Sequence, residues 1–100
     1  MENKKIVDYL LGCGIKPNIK GFEYLYTAIE ITIRNDYKMP QVTKFLYPTI
    51  AEMYNDTPSK VERACRHSIS ISNKEFKHMT CGEFIARAAI SMKFAKKKEK

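Results

Sequence analysis

The sequence lacks the cysteine spacings and apolar runs that mark disulfide-bonded, zinc-binding and membrane-spanning proteins. Its cysteines, Cys13, Cys65 and Cys81, are odd in number and widely spaced, and no CxxC or Cys/His ligand spacing occurs. Neither a disulfide framework nor a metal site is therefore expected. No segment approaches the roughly 20 apolar residues that a membrane-spanning helix needs. We expect a soluble, cytoplasmic protein with reduced thiols and no membrane partner.

Signatures of catalysis are also missing. The chain contains no phosphate-binding loop and no nucleophile elbow, and its two histidines, His67 and His78, have no evident carboxylate partners. The absence of these patterns argues against the common nucleotide-dependent, hydrolytic and metal-dependent mechanisms. The sequence therefore predicts a protein that is not an enzyme and needs no cofactor.

The composition is that of a globular protein with unevenly placed charge. The 100 residues, 44% hydrophobic and 29% charged, suit one domain with one modest core. The formal charge is +7, but five lysines and one glutamate in the last eight residues contribute +4 of it. A basic tail often only aids solubility, so bulk charge is weak evidence for a nucleic-acid partner. We assign residues 1–95 to a single domain and 96–100 to a lysine-rich tail.

Hydrophobic periodicity predicts an all-α domain of five to six helices. The predicted helices cover 3–12, about 21–35, 40–47, a segment from Pro48 to a polar break at 55–58, 58–72, and a last helix that starts at a Thr80–Glu83 capping box. The β-branched run 29–33 could form a strand, but a helical apolar stripe begins before it and continues through it. The predicted buried stripes are Ile6, Val7, Leu10 and Leu11; Phe22, Leu25, Tyr26, Ile29 and Ile33; and Phe84, Ile85, Ala88, Ala89 and Met92. Residues 73–79 are expected to form a loop with one helical turn.

The stretch 48–72 has the residue pattern of a helix-turn-helix. Such a pair needs a small residue in its first helix, a turn residue that tolerates positive φ, and a β-branched residue in its second helix. Ala51, Asn55 and Val61 fill these positions, and asparagine is among the non-glycine residues that best tolerate left-handed backbone. Thr57 is the predicted N-cap of the second helix and Pro58 its first residue.

The second of these helices separates its residues into two faces. At about 100° per residue, one small and mostly apolar face consists of Val61, Ala64, Cys65, Ser68 and Ser72. The opposite arc is polar and consists of Ser59, Lys60, Glu62, Arg63, Arg66, His67 and Ser70. A packed face backed by hydrogen-bonding side chains is what a DNA-recognition helix needs. The alternative is a pair of packed helices whose polar face only meets water, because the three basic and three acidic residues of 48–72 cancel.

Four segments of the chain resemble one known family. They read IKGFEYL at 19–25, FLYPTIA at 45–51, SKVERACRHSI at 59–69 and GEFIA at 82–86. In this order, and along nearly the whole chain, they are similar to the C-terminal effector domain of the sporulation master regulator of endospore-forming Firmicutes. The VERAxRH run is the most specific of these motifs.

The resemblance implies a six-helix domain that binds short TGTCGAA-like promoter boxes through the major groove and activates or represses transcription. It also implies contact with the sigma subunit of RNA polymerase, and domains paired as dimers on tandem boxes. By position, Glu62, Arg63, Arg66 and His67 match the family's recognition run, and Lys60 stands where the family usually has arginine. That exchange keeps a phosphate-binding charge but loses the planar fork suited to guanine.

The chemistry of the polar side chains in 59–67 also suits double-stranded DNA, the partner that the resemblance implies. Arg63, near the middle of the polar arc, suits bidentate contact to guanine O6 and N7, and Glu62 can accept from a cytosine amino group. The candidates better placed for phosphates or a second base are Ser59, Lys60, Arg66 and His67.

Two departures from the family pattern leave alternatives open. The family's full-length protein carries a phosphoacceptor receiver domain, and nothing in these 100 residues resembles one. We therefore expect either an excised effector domain or a stand-alone relative without phosphorylation control. The stretch 72–80 is also shorter than in typical members, near the expected polymerase-contacting surface. The alternative function is a helical protein-interaction module, a decoy or antagonist that keeps the fold but does not bind promoters.

Overall fold

The structure is a computed structural model that describes residues 3–35 and 42–98. Over these ranges the chain is all-helical and contains no strand, as predicted. Its helices are α1 (Lys4–Gly12), α2 (Lys20–Arg34), α3 (Tyr47–Tyr54), α4 (Pro58–Ser70) and α5 (Cys81–Lys98), and a π-helical turn (Val42–Leu46) leads into α3. The described ranges thus hold five α-helices and one π-helical segment, within the five to six helices that were predicted. None of these helices is long and apolar enough to cross a membrane.

Helix α2 is the centre of the core, because it packs against each of the other four α-helices. Its covered residues are Gly21, Phe22, Tyr24, Leu25, Thr27, Ala28, Ile29 and Thr32. These residues cover a wider part of the helix surface than the single stripe that was predicted. Tyr26 and Ile33, which were predicted to belong to that stripe, are only half-buried. The run 29–33 lies inside α2, so its helical interpretation is confirmed.

Helix α1 buries a narrower face than predicted. Its cap residue Asn3 accepts a 3.0 Å hydrogen bond from the N–H of Lys5, and Ile6 and Leu10 are fully buried. Leu11, predicted to belong to the buried stripe, is 46% exposed. The helix packs on α2 and α5 at one side only, and two residues a turn apart are enough to fill that contact.

The junction before α3 differs from the predicted break at Pro48. Tyr47 is the first residue of α3, and Leu46 before it already has helical backbone angles (φ −65°, ψ −51°). A proline in the first turn removes an N–H that has no partner within the helix, so the helical path runs through it. The predicted start of a separate helix at Pro40 lies outside the described residues.

Helix α5 begins with the predicted capping box. The N–H of Thr80 donates to Oε1 of Glu83 at 3.0 Å, and the N–H of Glu83 donates to Oγ1 of Thr80 at 3.1 Å. The predicted stripe is buried from Phe84 to Ala89, and Met92 is half-buried. The helix continues to Lys98, into the segment 96–100 that the sequence predicted to be a lysine-rich tail.

The segment between α4 and α5 is a folded loop with the one helical turn that was predicted. The N–H groups of Phe76 and Lys77 both donate to the carbonyl of Asn73, at 2.9 and 3.1 Å. Asn73 is itself tied to the end of α1, since its N–H donates to the Cys13 carbonyl at 2.9 Å and its amide to the Gly12 carbonyl at 3.0 Å. These bonds hold the C-terminal end of α4 against the rest of the domain.

The three cysteines are all free and buried. Burial raises the pKa of the Cys65 and Cys81 thiols, so both stay protonated near neutral pH. Cys65 belongs to the inner face of α4, where it acts as a small apolar residue of the core.

Candidate nucleic-acid interface

Helices α3 and α4 and the turn between them form the helix-turn-helix. Asn55 follows α3 in the left-handed conformation (φ 57°, ψ 50°) and is the one non-glycine residue with positive φ in the described ranges. Ala51 and Val61 are buried in the same core cluster on either side of the turn. The three residues therefore occupy the structural positions that the sequence predicted.

The start of α4 is fixed by polar groups of the turn. Thr57 has extended backbone, and its Oγ1 accepts from the N–H of Lys60 at 3.2 Å, which makes it the N-cap as predicted. Asp56 accepts the N–H of Thr57 at 2.9 Å through Oδ1, and its own N–H donates to the Ala51 carbonyl at 2.8 Å. The helix ends at Ser70, two residues earlier than the predicted 58–72.

Two tyrosines connect the turn to α2. The hydroxyl of Tyr24 donates to Oδ2 of Asp56 at 2.6 Å. The hydroxyls of Thr27 and Tyr54 are 2.7 Å apart, in hydrogen-bond contact. The rings of Tyr24 and Tyr54 meet edge to face with centroids 5.2 Å apart. The central helix therefore holds both arms of the helix-turn-helix, α3 through Tyr54 and the entry to α4 through Asp56.

Helix α2 lies directly against α4 at Gly21. A Cβ added there would overlap Ser68 Oγ and lie 2.5 Å from the Ala64 carbonyl oxygen. The buried Ser68 hydroxyl has no hydrogen-bond partner among the described residues, so it acts here as a small packing group. The missing side chain at Gly21 is what lets the two helix backbones meet.

The side chains predicted to contact DNA lie together on the outward surface of α4. Five of the six are exposed and Glu62 is half-buried. We call this surface the outer face, and it consists of Ser59, Lys60, Glu62, Arg63, Arg66 and His67. The inner face packs into the core through Val61, Cys65, Ser68 and Ile69. Arg63 lies roughly opposite the middle of that inner face, at about 100° per residue.

The outer face carries a shallow hollow that follows the helix. Its volume is about 500 Å³ and its walls are Arg63, Arg66, His67 and Ser70. A second hollow of about 340 Å³, lined by Lys60, Arg63, Ala64 and His67, opens on the side of α4 nearer α2. Arg63 and His67 separate the two, so both side chains border concave surface on each side.

One ion pair lies within the outer face. Nη2 of Arg66 is 2.9 Å from Oε2 of Glu62, one helical turn earlier. Because both side chains are about half exposed or more, the pair contributes little to folding. The pair can therefore be broken at small cost, which leaves Glu62 free to accept from a donor and Arg66 free to donate to an anion.

The sequence did not reveal the residues that hold this surface in place. Tyr24 and Asp56 are 32 positions apart, and only the fold brings them together. Ile69 is buried on the inner face, although the predicted face placed Ser72 there instead. The close packing of α2 on α4 had one signal in the sequence, Gly21. Glycine inside a helix often marks a close approach of two backbones.

The arrangement defines a class of protein. A helix-turn-helix whose second helix packs on one side and exposes basic and hydrogen-bonding side chains on the other is typical of DNA-binding domains. Comparison with family models matches residues 6–99 to the family described as "Sporulation initiation factor Spo0A C terminal". The chain belongs to this family, whose domains are helical DNA-binding regulators of sporulation rather than enzymes.

Proposed function

We propose that this protein is a sequence-specific transcription regulator that places α4 in the major groove of short TGTCGAA-like promoter boxes. The observation that carries the proposal is the position of Arg63. It stands at the centre of an exposed helix face while the opposite face is locked in the core. The major groove, about 12 Å wide, admits a helix about 10–12 Å across, so Arg63 would point at the groove floor.

Two residues of the outer face would read bases. Arg63 would donate to guanine O6 and N7 through its planar fork, the commonest specific contact in the major groove. Glu62 would accept from a cytosine amino group, which explains a carboxylate on a surface that faces phosphates. Its present partner Arg66 would be released toward the DNA at the same time.

The other residues of the outer face would fix the register of the protein on the duplex. Lys60 and Arg66 would neutralise phosphates, and His67, beside Arg63, would contact a phosphate or a second base. Ser59 lies in the first turn of α4, where its hydroxyl and its own backbone N–H suit a phosphate oxygen.

The biological setting follows from the same proposal. A promoter-binding domain of this family would act in the cytoplasm, with RNA polymerase, through its sigma subunit, as a second partner and with dimers on tandem boxes. Support for these partners is the family resemblance alone, and the short loop 71–80 would give any polymerase contact a surface different from that of longer members.

A titration of the protein against two duplexes tests the proposal. One duplex contains the box and the other has the same bases in scrambled order, both at moderate fixed salt. We expect a shift of the box duplex at protein concentrations at least tenfold below those for the scrambled one. Lys60→Ala should weaken binding to both duplexes alike and flatten the salt dependence. No shift well above micromolar protein would reject the proposal and favour a protein-interaction module.

A further inference from the structure

The first turn of α2 runs along one side of α4. Gly21 touches the Ala64 carbonyl and the Ser68 side chain, with no space for a Cβ. One turn later, Tyr24 reaches Asp56 at the entry to α4. The start of α2 is therefore held at a fixed position beside the outer face, at the edge where Lys60 and the 340 Å³ hollow lie.

Lys20 is the charged residue at this position. It is exposed, it begins α2, and it forms no ion pair with any residue that the structure describes. The Asp56 carboxylate lies within the electrostatic reach of both Lys20 and Lys60, which contribute to lowering its pKa after the Tyr24 and Thr57 hydrogen bonds. Two lysines from different helices thus share one edge of the outer face.

The opposite edge of α4 has a different charge. There a hollow of about 400 Å³ is lined by Glu62 and Arg66, which form an ion pair, and by residues of α3 and the start of α5. Glu62 and Lys60 are separated by roughly 160° around the helix axis. Lys60, which forms no ion pair with a described residue, therefore lies on the side of α4 nearer α2, whereas Arg66 on the opposite edge is paired with Glu62.

The different charge on the two edges of α4 affects which phosphates of a bound duplex each edge would contact. A helix that fills the major groove has one phosphate backbone along each of its sides, because the groove is about as wide as the helix. The backbone on the α2 side would pass over Lys60 and then over the start of α2. Lysine suits this contact, since its ammonium group acts as a point charge on a long flexible stem.

We propose that Lys20, a residue outside the helix-turn-helix, contacts a backbone phosphate of the bound duplex next to the one held by Lys60. The inference rests on the proposed function and extends it. Gly21 serves the same contact, because its close approach to α4 brings Lys20 to the edge of the groove. The phosphate contacts would then come from two helices and not from α4 alone.

The salt dependence of binding to the box duplex tests this inference. In Lys20→Gln, the slope of log affinity against log salt should fall by about 0.9, the value for one lost phosphate contact. Lys20→Arg should keep the wild-type slope. Lys4→Gln is the matched control, because it removes the same charge from an exposed position on α1, which packs on α2 and α5. Its slope should equal that of the wild type.

Ethylation interference on the box duplex gives an independent readout. We expect one phosphate whose ethylation blocks the wild-type protein but no longer affects Lys20→Gln. An unchanged slope and an unchanged interference pattern in Lys20→Gln would overturn the inference and leave the proposed function standing, provided that the wild type still prefers the box. Failure of the wild type to bind the box at all would overturn both.

Discussion

The hydroxyl of Tyr24 and the carboxylate of Asp56 form a 2.6 Å hydrogen bond that joins the central helix to the turn of the helix-turn-helix. The same carboxylate caps the N–H of Thr57 through its other oxygen. The Tyr24 bond, followed by the Thr57 bond, holds the pKa of Asp56 below its usual value. A single side chain of α2 thus anchors the turn in which Thr57 caps α4, and we expect the orientation of the outer face to depend on it.

Removal of the Tyr24 hydroxyl tests this dependence. Tyr24→Phe keeps the ring against Tyr54 but breaks the bond to Asp56. We expect a lower melting temperature and weaker binding to the box duplex, with a smaller loss on scrambled DNA. Tyr26→Phe is the control, because it removes from the same helix a hydroxyl whose one hydrogen bond within residues 3–35 and 42–98 is to the N–H of Asn3. Equal box affinity for Tyr24→Phe and wild type would show that the bond does not position α4.

Gly21→Ala tests the close approach of α2 and α4. The new Cβ would meet the Ala64 carbonyl, a backbone atom that cannot rotate away. Overpacking of this kind costs about 1–3 kcal/mol in free energy of unfolding. Gly12→Ala is the matched control, since a Cβ there meets nothing within 4 Å. Denaturant unfolding should show a clear loss for Gly21→Ala and none for Gly12→Ala, and equal stability of the two variants would contradict the packing described.

Alkaline pH should destabilise the fold through Tyr24. Burial, followed by the bond to Asp56, raises the pKa of Tyr24 to about 12. Tyrosine in the unfolded chain ionises at a pKa of about 10, so this contribution is complete below pH 10 and is lost as the pH rises toward 12. The free energy of unfolding should therefore fall less steeply between about pH 10 and 12 in Tyr24→Phe than in the wild type. Parallel curves for the two proteins would rule out Tyr24 as the source.

Glu62→Gln separates base reading from bulk charge. Loss of the carboxylate removes a negative group from the outer face and frees Arg66, so affinity for scrambled DNA should rise. Preference for the box should fall, because the acceptor for the cytosine amino group is weakened. Glu30→Gln breaks a similar i,i+4 pair with Arg34 on α2 and should change neither quantity. An unchanged preference in Glu62→Gln would remove Glu62 from the reading residues.

Local signals in the sequence were enough to predict most of the fold. The capping box at Thr80, the cap at Thr57 and the left-handed Asn55 each depend on residues within a few positions, and each is found as predicted. Leu11 was misplaced because periodicity gives a face but not the width of the contact that covers it. The continuous path from Leu46 into α3 was missed because a proline in a first turn looks the same as a break.

The residues of the outer face were also predictable from the sequence, whereas the hydrogen bonds that orient α4 were not. The exposed positions of Arg63 and Lys60 follow from helical periodicity on α4 alone. The bonds that orient that helix join Tyr24 to Asp56 and Asn73 to Cys13, pairs separated by many residues. Such pairs arise from packing, which a single sequence does not encode in any local pattern.

The proposed role of Arg63 is to read a base, and the ratio of affinities for the box and scrambled duplexes tests that role directly. Arg63→Ala should reduce that ratio by about 1–3 kcal/mol of discrimination while the fold is kept, since Arg63 is exposed. Arg34→Ala, which removes an exposed arginine from α2, should leave the ratio unchanged. A ratio in Arg63→Ala equal to that of the wild type would show that Arg63 does not read a base, even if affinity for both duplexes fell together.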